Sequence, residues 1–185
     1  MKTAVSLVFS FSIACLAVAK AEDVKVFGEA FRVEGIGDKA MALCLEGDKL
    51  YAGAGSCLSV YDISKPLAPR KLGEVDGLGG VRQIAVQKGM AYVSTREYGL
   101  WIVDATKPQA PRIRSRFDSC ELATGVDVAG DVCLLGQRQN GVEFIDVSDP
   151  DHPRHIAMRK TDESQSVVYH DGWLYSGDWG SAYVT

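Results

Sequence analysis

The chain has 185 residues, and 46% of them are hydrophobic and 24% charged, which is the ordinary composition of a globular protein with room for one sizeable domain. The 20 basic and 24 acidic residues give a net charge of -4 at neutral pH. The sequence has no basic patch with interleaved aromatic residues, so we expect no nucleic-acid partner.

The first 21 residues have the pattern of a secretory signal peptide. Lys2 gives a short positive start, and residues 3–18 are uncharged and mostly apolar. Two small-x-small cleavage sites follow, Ala17-Val18-Ala19 and Ala19-Lys20-Ala21. The apolar stretch is too short to be a comfortable membrane span, so we expect no transmembrane segment. The prediction is an exported protein, placed in a periplasm, at the cell surface or outside the cell.

The mature chain is expected to begin near Glu22. Loss of Lys2 and Lys20 leaves 18 basic against 24 acidic residues, so the net charge of the mature chain is near -6. A lipoprotein would instead be anchored through Cys15, but Ser12-Ile13-Ala14 in front of it is a poor lipobox.

One nonapeptide pattern, Asp-x-Ser/Thr-x-Pro-x-x-Pro-Arg, occurs three times at a fixed period of 42 residues. Its copies are Asp62–Arg70, Asp104–Arg112 and Asp146–Arg154, and together they contain all six prolines of the chain. A sequence period in the forties is typical of a repeat array, most often of the four-stranded blades of a β-propeller.

Each repeat is predicted to open with a β-hairpin. Four glycine-containing pairs lie 41 or 42 residues apart between apolar runs: Glu46-Gly47, Lys88-Gly89, Ala129-Gly130 and Asp171-Gly172. A two-residue turn with glycine second suits a type I′ hairpin, because that turn needs positive φ. In the second repeat the two strands are expected at 81–87 and 90–94.

A third and a fourth strand follow in each repeat. Short apolar runs bounded by turn residues indicate third strands that are buried on both faces, and they lie at 58–62, 99–104 and 141–146. The segments after the double prolines, 112–117 and 154–159, are more polar, as outer edge strands should be.

The sequence therefore predicts an all-β protein, a β-propeller built over residues 39–185 from four-stranded blades of about 42 residues. Residues 22–38 come before any hairpin. Within them Lys25-Val-Phe-Gly-Glu29 resembles Lys71-Leu-Gly-Glu74, which belongs to a fourth strand, so we expect this segment to complete the last blade and close the ring. The last repeat reaches only its third strand at Thr185. We accordingly expect about three and a half blades and interpret the chain as a fragment of a longer one.

The repeated aspartates, Asp62, Asp104 and Asp146, are predicted to be structural. A carboxylate at the end of a strand can accept hydrogen bonds from the backbone two or three residues further on, forming an Asx-turn. The hydroxyl two residues later can add a second bond, and the prolines fix φ where the chain crosses to the fourth strand. A catalytic role is possible for these carboxylates, but their presence in every repeat favours the structural one.

The repeats resemble the LVIVD-repeat family of exported bacterial β-propellers. The resemblance rests on Leu100-Trp-Ile-Val-Asp104 and on the proline motifs, and it covers most of residues 39–185. The first and third copies depart from the pattern, with Leu-Ser-Val-Tyr-Asp and Val-Glu-Phe-Ile-Asp, a drift that is normal between blades. The resemblance implies a β-propeller and a secreted or cell-surface location, and it implies no particular activity.

Cysteine and histidine do not form a recognisable metal or catalytic pattern in this sequence, so we expect no metal and no cofactor. Four cysteines remain after signal removal, an even count that permits disulfides in an exported protein, but they lack Cys-x-x-Cys spacing. They do not fall opposite one another in the predicted hairpins, so we expect them to be buried free thiols: Cys44, Cys57, Cys120 and Cys133. His152 and His155 lack neighbouring ligands, and His170 lies beside a hairpin turn.

Strand order in a blade places the loops between the second and third strands on the same face as the connections between blades. That face receives mixed charge and one aromatic residue, which together form a candidate ligand-binding site: Arg82, Arg96, Glu97, Arg138, Gln139, Glu163, Gln165, Asp178 and Trp179. The partner can be a small ligand, a glycan or a protein. The recurrence of arginine at positions 96 and 138 also fits a purely structural contact between blades.

Two functions agree with these features. The first is a non-catalytic binding or interaction module. The alternative is an enzyme, a hydrolase or lyase acting on sugars, with its polar groups at the mouth of the channel. No Ser-His-Asp arrangement or phosphate-binding glycine loop in the sequence favours the enzyme.

Overall fold

The computed structural model describes residues 40–184, so the predicted signal peptide at 1–21 and the predicted closing strand within 22–38 lie outside the described residues. The first blade consists of β1 (Ala40–Glu46), β2 (Lys49–Ala54), β3 (Cys57–Asp62) and β4 (Arg70–Val75). The second consists of β5 (Val81–Gln87), β6 (Met90–Thr95), β7 (Gly99–Asp104) and β8 (Arg112–Phe117). The third consists of β9 (Val126–Ala129), β10 (Val132–Gln137), β11 (Gly141–Asp146) and β12 (Arg154–Arg159). The fourth consists of β13 (Ser164–His170), β14 (Trp173–Asp178) and β15 (Ser181–Val184).

Every blade is an antiparallel meander in which consecutive strands pair. The first three sheets have four strands each, and the fourth sheet has three. The first strands of successive blades contact one another, β1 with β5, β5 with β9 and β9 with β13, so they form the inner layer. The prediction of an all-β protein made of propeller-type blades is confirmed.

Within residues 40–184 no helix has the length and apolar character needed to cross a membrane.

The hydrophobic core lies between neighbouring blades rather than inside any one of them. Tyr51 and Val60 of the first blade pack with Ile84 of the second in one cluster, and Ile102 of the second packs with Leu135 of the third in another. A smaller cluster joins the third and fourth blades. Burying a side chain of this size fully adds roughly 1.5–3 kcal/mol to the free energy of unfolding, relative to leaving the side chain exposed. This packing explains the third strands, which are short, apolar and buried on both faces.

The hairpin turns follow the predicted period, but two of the four differ from the predicted type. Lys88 and Gly89 both have positive φ, 53° and 75°, as a type I′ turn requires, and Asp171 and Gly172 behave alike. In the first and third blades the turn is displaced by one residue to Gly47-Asp48 and Gly130-Asp131, with glycine first. Only the glycine of each displaced pair has positive φ, which is the φ pattern of a type II′ turn. The prediction of glycine second was therefore wrong for these two blades.

The fourth strand of a blade packs against the proline motif of the next blade. A Cβ added to Gly73 in β4 would lie 2.6 Å from the Pro108 carbonyl oxygen. In β8, the Ser115 hydroxyl donates a hydrogen bond of 2.6 Å to the Pro150 carbonyl, and Arg114 pairs with Asp151. The proline motif therefore joins adjacent blades as well as the two strands on either side of it.

Candidate functional site

The meander gives the array two chemically different faces. The motif face carries the hairpin turns between first and second strands together with the three proline motifs. The loop face carries the loops between second and third strands and the connections between blades, at residues 55–56, 76–80, 96–98, 118–125, 138–140, 160–163 and 179–180.

On the motif face each repeated aspartate bonds within its own turn. Asp104 Oδ1 accepts hydrogen bonds from the Thr106 amide at 3.1 Å and from the Thr106 hydroxyl at 2.6 Å. Its Oδ2 accepts from Arg112, the last residue of the motif, at 3.0 Å. Asp62 and Asp146 bond to the corresponding residues of their own motifs.

These bonds stabilise the ionised carboxylates. The hydrogen bond from the Thr106 side chain, followed by those from the Thr106 amide and Arg112, lowers the pKa of Asp104 to about 2. The pKa values of Asp62 and Asp146 are also lowered to about 2, first by the serine side chain two residues on and then by its amide and by the motif arginine. The motif arginine thus has a role that the sequence pattern did not reveal.

On the loop face, backbone hydrogen bonds connect successive blades. The carbonyl of the first residue of each loop between second and third strands accepts a bond from the start of the next blade: Gly55 from Val81 at 2.9 Å, Arg96 from Ala123 at 3.2 Å, and Arg138 from Ser164 at 2.9 Å. Main-chain atoms form these bonds, and Gly55 and Arg138 both have positive φ, 58° and 30°, which favours glycine at this position. These backbone bonds do not involve the arginine side chains at 96 and 138.

The structure brings three of the nine candidate site residues together where the third and fourth blades meet. Arg138 Nε donates a hydrogen bond to Glu163 Oε1 at 2.9 Å, and both side chains are half-buried. The Trp179 amide donates to the Glu163 carbonyl at 2.9 Å. Nearby, the Gln139 carbonyl accepts a hydrogen bond from the Lys160 ammonium. Arg138 is thus held in place by Glu163 rather than free in solvent.

Three other candidates remain separate from that cluster. Arg82, Arg96 and Glu97 are exposed, and their side chains form no hydrogen bond or ion pair with any residue between 40 and 184. Arg82 occupies the irregular position between Val81 and Gln83, where β5 shifts register against β6.

Of the remaining two candidates, Asp178 is buried and Gln165 is half-buried. Asp178 is only 9% exposed; its Oδ1 accepts a hydrogen bond from Ser176, whose hydroxyl lies 3.0 Å from that of Ser164. The Thr124 hydroxyl of the third blade donates to the Ser164 carbonyl at 2.8 Å. Asp178 Oδ2 and Gln165 Nε2 are buried and have no hydrogen-bond partner among the described residues.

A network of hydrogen-bonded polar side chains, which the sequence did not predict, crosses the third blade. Glu143 is 5% exposed, and its two oxygens bond to His155 Nδ1 at 2.7 Å and to the Gln137 amide. Gln137 Oε1 in turn accepts from the Cys120 thiol at 3.2 Å. The available signal was the glutamate within an apolar third strand, where the second blade has Trp101. We interpreted that change as ordinary drift between copies, and the structure shows that it places a buried carboxyl group in the blade.

The four cysteines between residues 40 and 184 are free thiols, but only some of them are buried. Cys133 is fully buried, and that burial raises the pKa of its thiol well above the usual value. Cys44 and Cys57 are half-buried, and burial raises their pKa values too. Cys120 is exposed on the loop face, contrary to expectation, because it lies in the connection between blades and not in a strand. Among residues 40–184, no group of three or more metal-ligating side chains is close enough to hold a metal ion.

Blades of this kind, joined through their faces and repeating every 42 residues, define a repeat protein of the β-propeller type. A family model for the LVIVD repeat matches residues 78–119, the second repeat, and so confirms the resemblance carried by Leu100–Asp104. Comparison with curated proteins gave no match.

Solved structures share the fold at low sequence identity. The computationally designed Ika4 protein has a TM-score of 0.69 and 13% identity over 86% of this chain and 98% of that chain. The designed Ika8 protein has a TM-score of 0.63 and 12% identity, and Saccharomyces cerevisiae Sqt1 has 0.62 and 11%. The matched regions cover 78% and 75% of this chain, but only 45% of the Ika8 chain and 42% of the Sqt1 chain. At such identities the likeness shows the fold alone.

Proposed function

We propose that the protein is an exported, non-catalytic binding module that engages its partner with the loop face. The signal-like N-terminus supports export. The exposed Trp179 ring on the same face as the unpaired charges supports the assignment of the binding surface, and it is the observation on which the proposal mainly rests.

On the motif face, the repeated aspartates and arginines pair with one another inside their turns. On the loop face, Arg82, Arg96 and Glu97 have no such partners within the described part of the chain, and Trp179 is 74% exposed. Unpaired charged side chains and an exposed aromatic residue can form ion pairs, hydrogen bonds and apolar contacts with a partner, so they are typical of a binding surface.

The test compares two double variants that each remove two cations. Arg82→Ala/Arg96→Ala alters the loop face, and Lys65→Ala/Lys107→Ala alters exposed lysines within the proline motifs. Binding is measured by affinity electrophoresis in gels containing dextran, laminarin, xylan, mannan or alginate. We expect retardation by at least one polysaccharide, and we expect at least a fivefold loss of affinity in the loop-face variant only, since two rim charges contribute about 1 kcal/mol together.

Equal losses in both double variants would contradict the assignment of the loop face. Release of new reducing ends or unsaturated products from the same polysaccharides would instead support the enzymatic alternative. Mass spectrometry of the secreted product tests export, for which we expect a mature N-terminus near Glu22.

A further inference from the structure

The same strand positions are buried at each of the three junctions between successive blades. We call the side of a blade that packs on the blade before it the head face, and the side that packs on the blade after it the tail face. One tail-face position of the second strand is buried in the first three blades, at Tyr51, Tyr92 and Leu134. One head-face position of the first strand is buried in the last three blades, at Ile84, Val126 and Val167. Each core cluster joins one of these tail-face side chains to the head-face side chain of the next blade.

The two outermost described blades leave these same positions open. Tyr175 occupies the tail-face position of the fourth blade, and it is 41% exposed. Leu43 occupies the head-face position of the first blade, and it is 61% exposed. Leu45 lies on the same head face two residues further on, and Val184 pairs with Tyr175 on the tail face; both are exposed as well. An apolar surface with the chemistry of a blade junction therefore lies open on each of these two blades.

Gly177 indicates that the tail face of the fourth blade is shaped to receive another blade. The equivalent residues are Gly53 in the first blade and Gly136 in the third. A Cβ at Gly53 would lie 2.3 Å from Val81 of the next blade, and one at Gly136 would lie 2.9 Å from Ser164 of the next blade. At Gly177 the described atoms that a Cβ would meet belong to its own blade. Glycine inside a strand often marks the close approach of another backbone, so the fourth blade keeps a gap that a first strand fills at the other junctions.

The head face of the first blade has a hollow where a large side chain fits. A cavity of about 240 Å³ opens on it, and Ser59 lines this cavity at the position where the second blade has Trp101. Ala52, which pairs with Leu43, lines it as well. The head face is therefore hollow beside Leu43, and the tail face carries the exposed ring of Tyr175.

Each open face presents what the other lacks. At the three described junctions the tail face receives an aliphatic side chain from a first strand, and Leu43 is such a side chain. The head face receives a tyrosine or leucine from a second strand, and Tyr175 is such a side chain. The charges agree, because Lys71 and Glu74 at the cavity pair with one another and the tail-face residues are uncharged. Contact between the two faces therefore buries no unpaired charge.

We propose that the chain associates head to tail, with the tail face of the fourth blade docked on the head face of the first blade of a second copy. Tyr175 fills the hollow beside Ser59 of the second copy, and Leu43 of that copy packs over Gly177, as Ile84 packs over Gly53 at the first junction. Both faces are open within one chain, so a second copy supplies the matching surface. The contact is heterologous, since the two surfaces differ. It goes beyond the proposed binding function and does not depend on it.

The test uses the full chain and two variants that each place a charge on one face. Leu43→Asp alters the head face, and Tyr175→Asp alters the tail face. The matched control is Ile156→Asp, which changes an exposed apolar side chain of the third blade, outside both faces. Sedimentation velocity measures association from about 1 to 100 μM. We expect the unaltered chain and Ile156→Asp to form the same oligomers. Leu43→Asp and Tyr175→Asp should each raise the dissociation constant about a hundredfold, because the contact would bury an unpaired carboxylate.

A mixture of the two variants tests the head-to-tail geometry. Leu43→Asp keeps an intact tail face and Tyr175→Asp keeps an intact head face, so one contact can form between them. We expect the mixture to give a 1:1 dimer that grows no further, although each variant alone is monomeric. Contact of head with head or of tail with tail would not be restored in this way.

Three results would overturn the proposal. The first is an unaltered chain that stays monomeric over the whole concentration range. The second is a mixture of the two variants that stays monomeric although circular dichroism shows both to be folded. The third is dissociation of Ile156→Asp as complete as that of the other variants, which would place the contact on another surface. If an aspartate variant fails to fold, Leu43→Thr and Tyr175→Thr repeat the mixing test with an uncharged residue that strands accept.

Discussion

Replacing Asp104 by alanine should destabilise the protein measurably without touching the loop face. The Asp104 side chain is 12% exposed, and its two oxygens hold the Thr106 amide, the Thr106 hydroxyl and the Arg112 guanidinium. Loss of the turn-capping bonds costs about 1–2 kcal/mol, as at other capping positions. Because Arg112 is 69% exposed, its ion pair adds only about 0.5 kcal/mol. The expected total is about 1.5–2.5 kcal/mol.

Asp104→Asn provides the matched control. Asparagine keeps an oxygen for the Thr106 amide and loses the charge, so we expect it to cost less than half as much. Asp62→Ala and Asp146→Ala should rank below Asp104→Ala, because those carboxylates are 25% and 27% exposed. Urea unfolding followed by tryptophan fluorescence measures all four variants. An Asp104→Ala protein with unchanged stability but abolished polysaccharide binding would show that the motif carboxylates belong to a ligand site, and our interpretation of the motif would be wrong.

Three further outcomes are expected. Gly141→Ala should lower the free energy of unfolding by about 3 kcal/mol or more, and Gly130→Ala by about 1 kcal/mol, as compared by thermal unfolding. Both glycines have positive φ, which an alanine adopts only with strain. The costs differ because a Cβ at Gly141 would lie 2.2 Å from the Arg159 carbonyl oxygen, whereas one at Gly130 would meet nothing within 4 Å. The motif carboxylates have pKa values of about 2 in the folded chain, below the value of about 3.9 in an unfolded one. Their contribution to the free energy of unfolding should therefore be complete above pH about 4 and lost as pH falls towards 2. A urea midpoint that does not change over that pH range would contradict this. Cys120 should react with a thiol reagent in the native protein while Cys133 reacts only on unfolding, and equal native rates would show that the third blade opens freely.

The strands and blades were predictable because their signals are local. Proline and glycine restrict φ wherever they occur, and their 42-residue period marks each turn without knowledge of the partner strand. The register at Gly47 and Gly130 was not predictable in this way. It depends on which residues pair across the hairpin, and the same glycine can be first or second in a two-residue turn.

The candidate site was predictable as a face but not as a set of contacts. Strand order alone places Arg138 and Glu163 on one face, since it needs only the direction of each strand. Whether the two side chains pair depends on the conformations of the two loops, and these loops have no repeated sequence pattern from which their conformations could be predicted. Likewise, Glu143 is visible in the sequence as a charge in an apolar strand, but its partner His155 lies on the next strand and is shifted by a bulge between Phe144 and Ile145.

The contacts between blades have a consequence for how the chain reaches its fold. The side-chain hydrogen bonds across the motif face join partners about one repeat apart: Ser115 and Pro150 are separated by 35 residues, and Gln87 and Gly130 by 43. Each core cluster likewise draws on two consecutive blades. A chain that emerges from its N-terminus, from a ribosome or through a membrane pore, can therefore lay each blade onto the one before it as soon as about 42 more residues have appeared. The segment that has emerged but has not yet packed against a preceding blade is therefore about one repeat long at any moment, whatever the number of repeats.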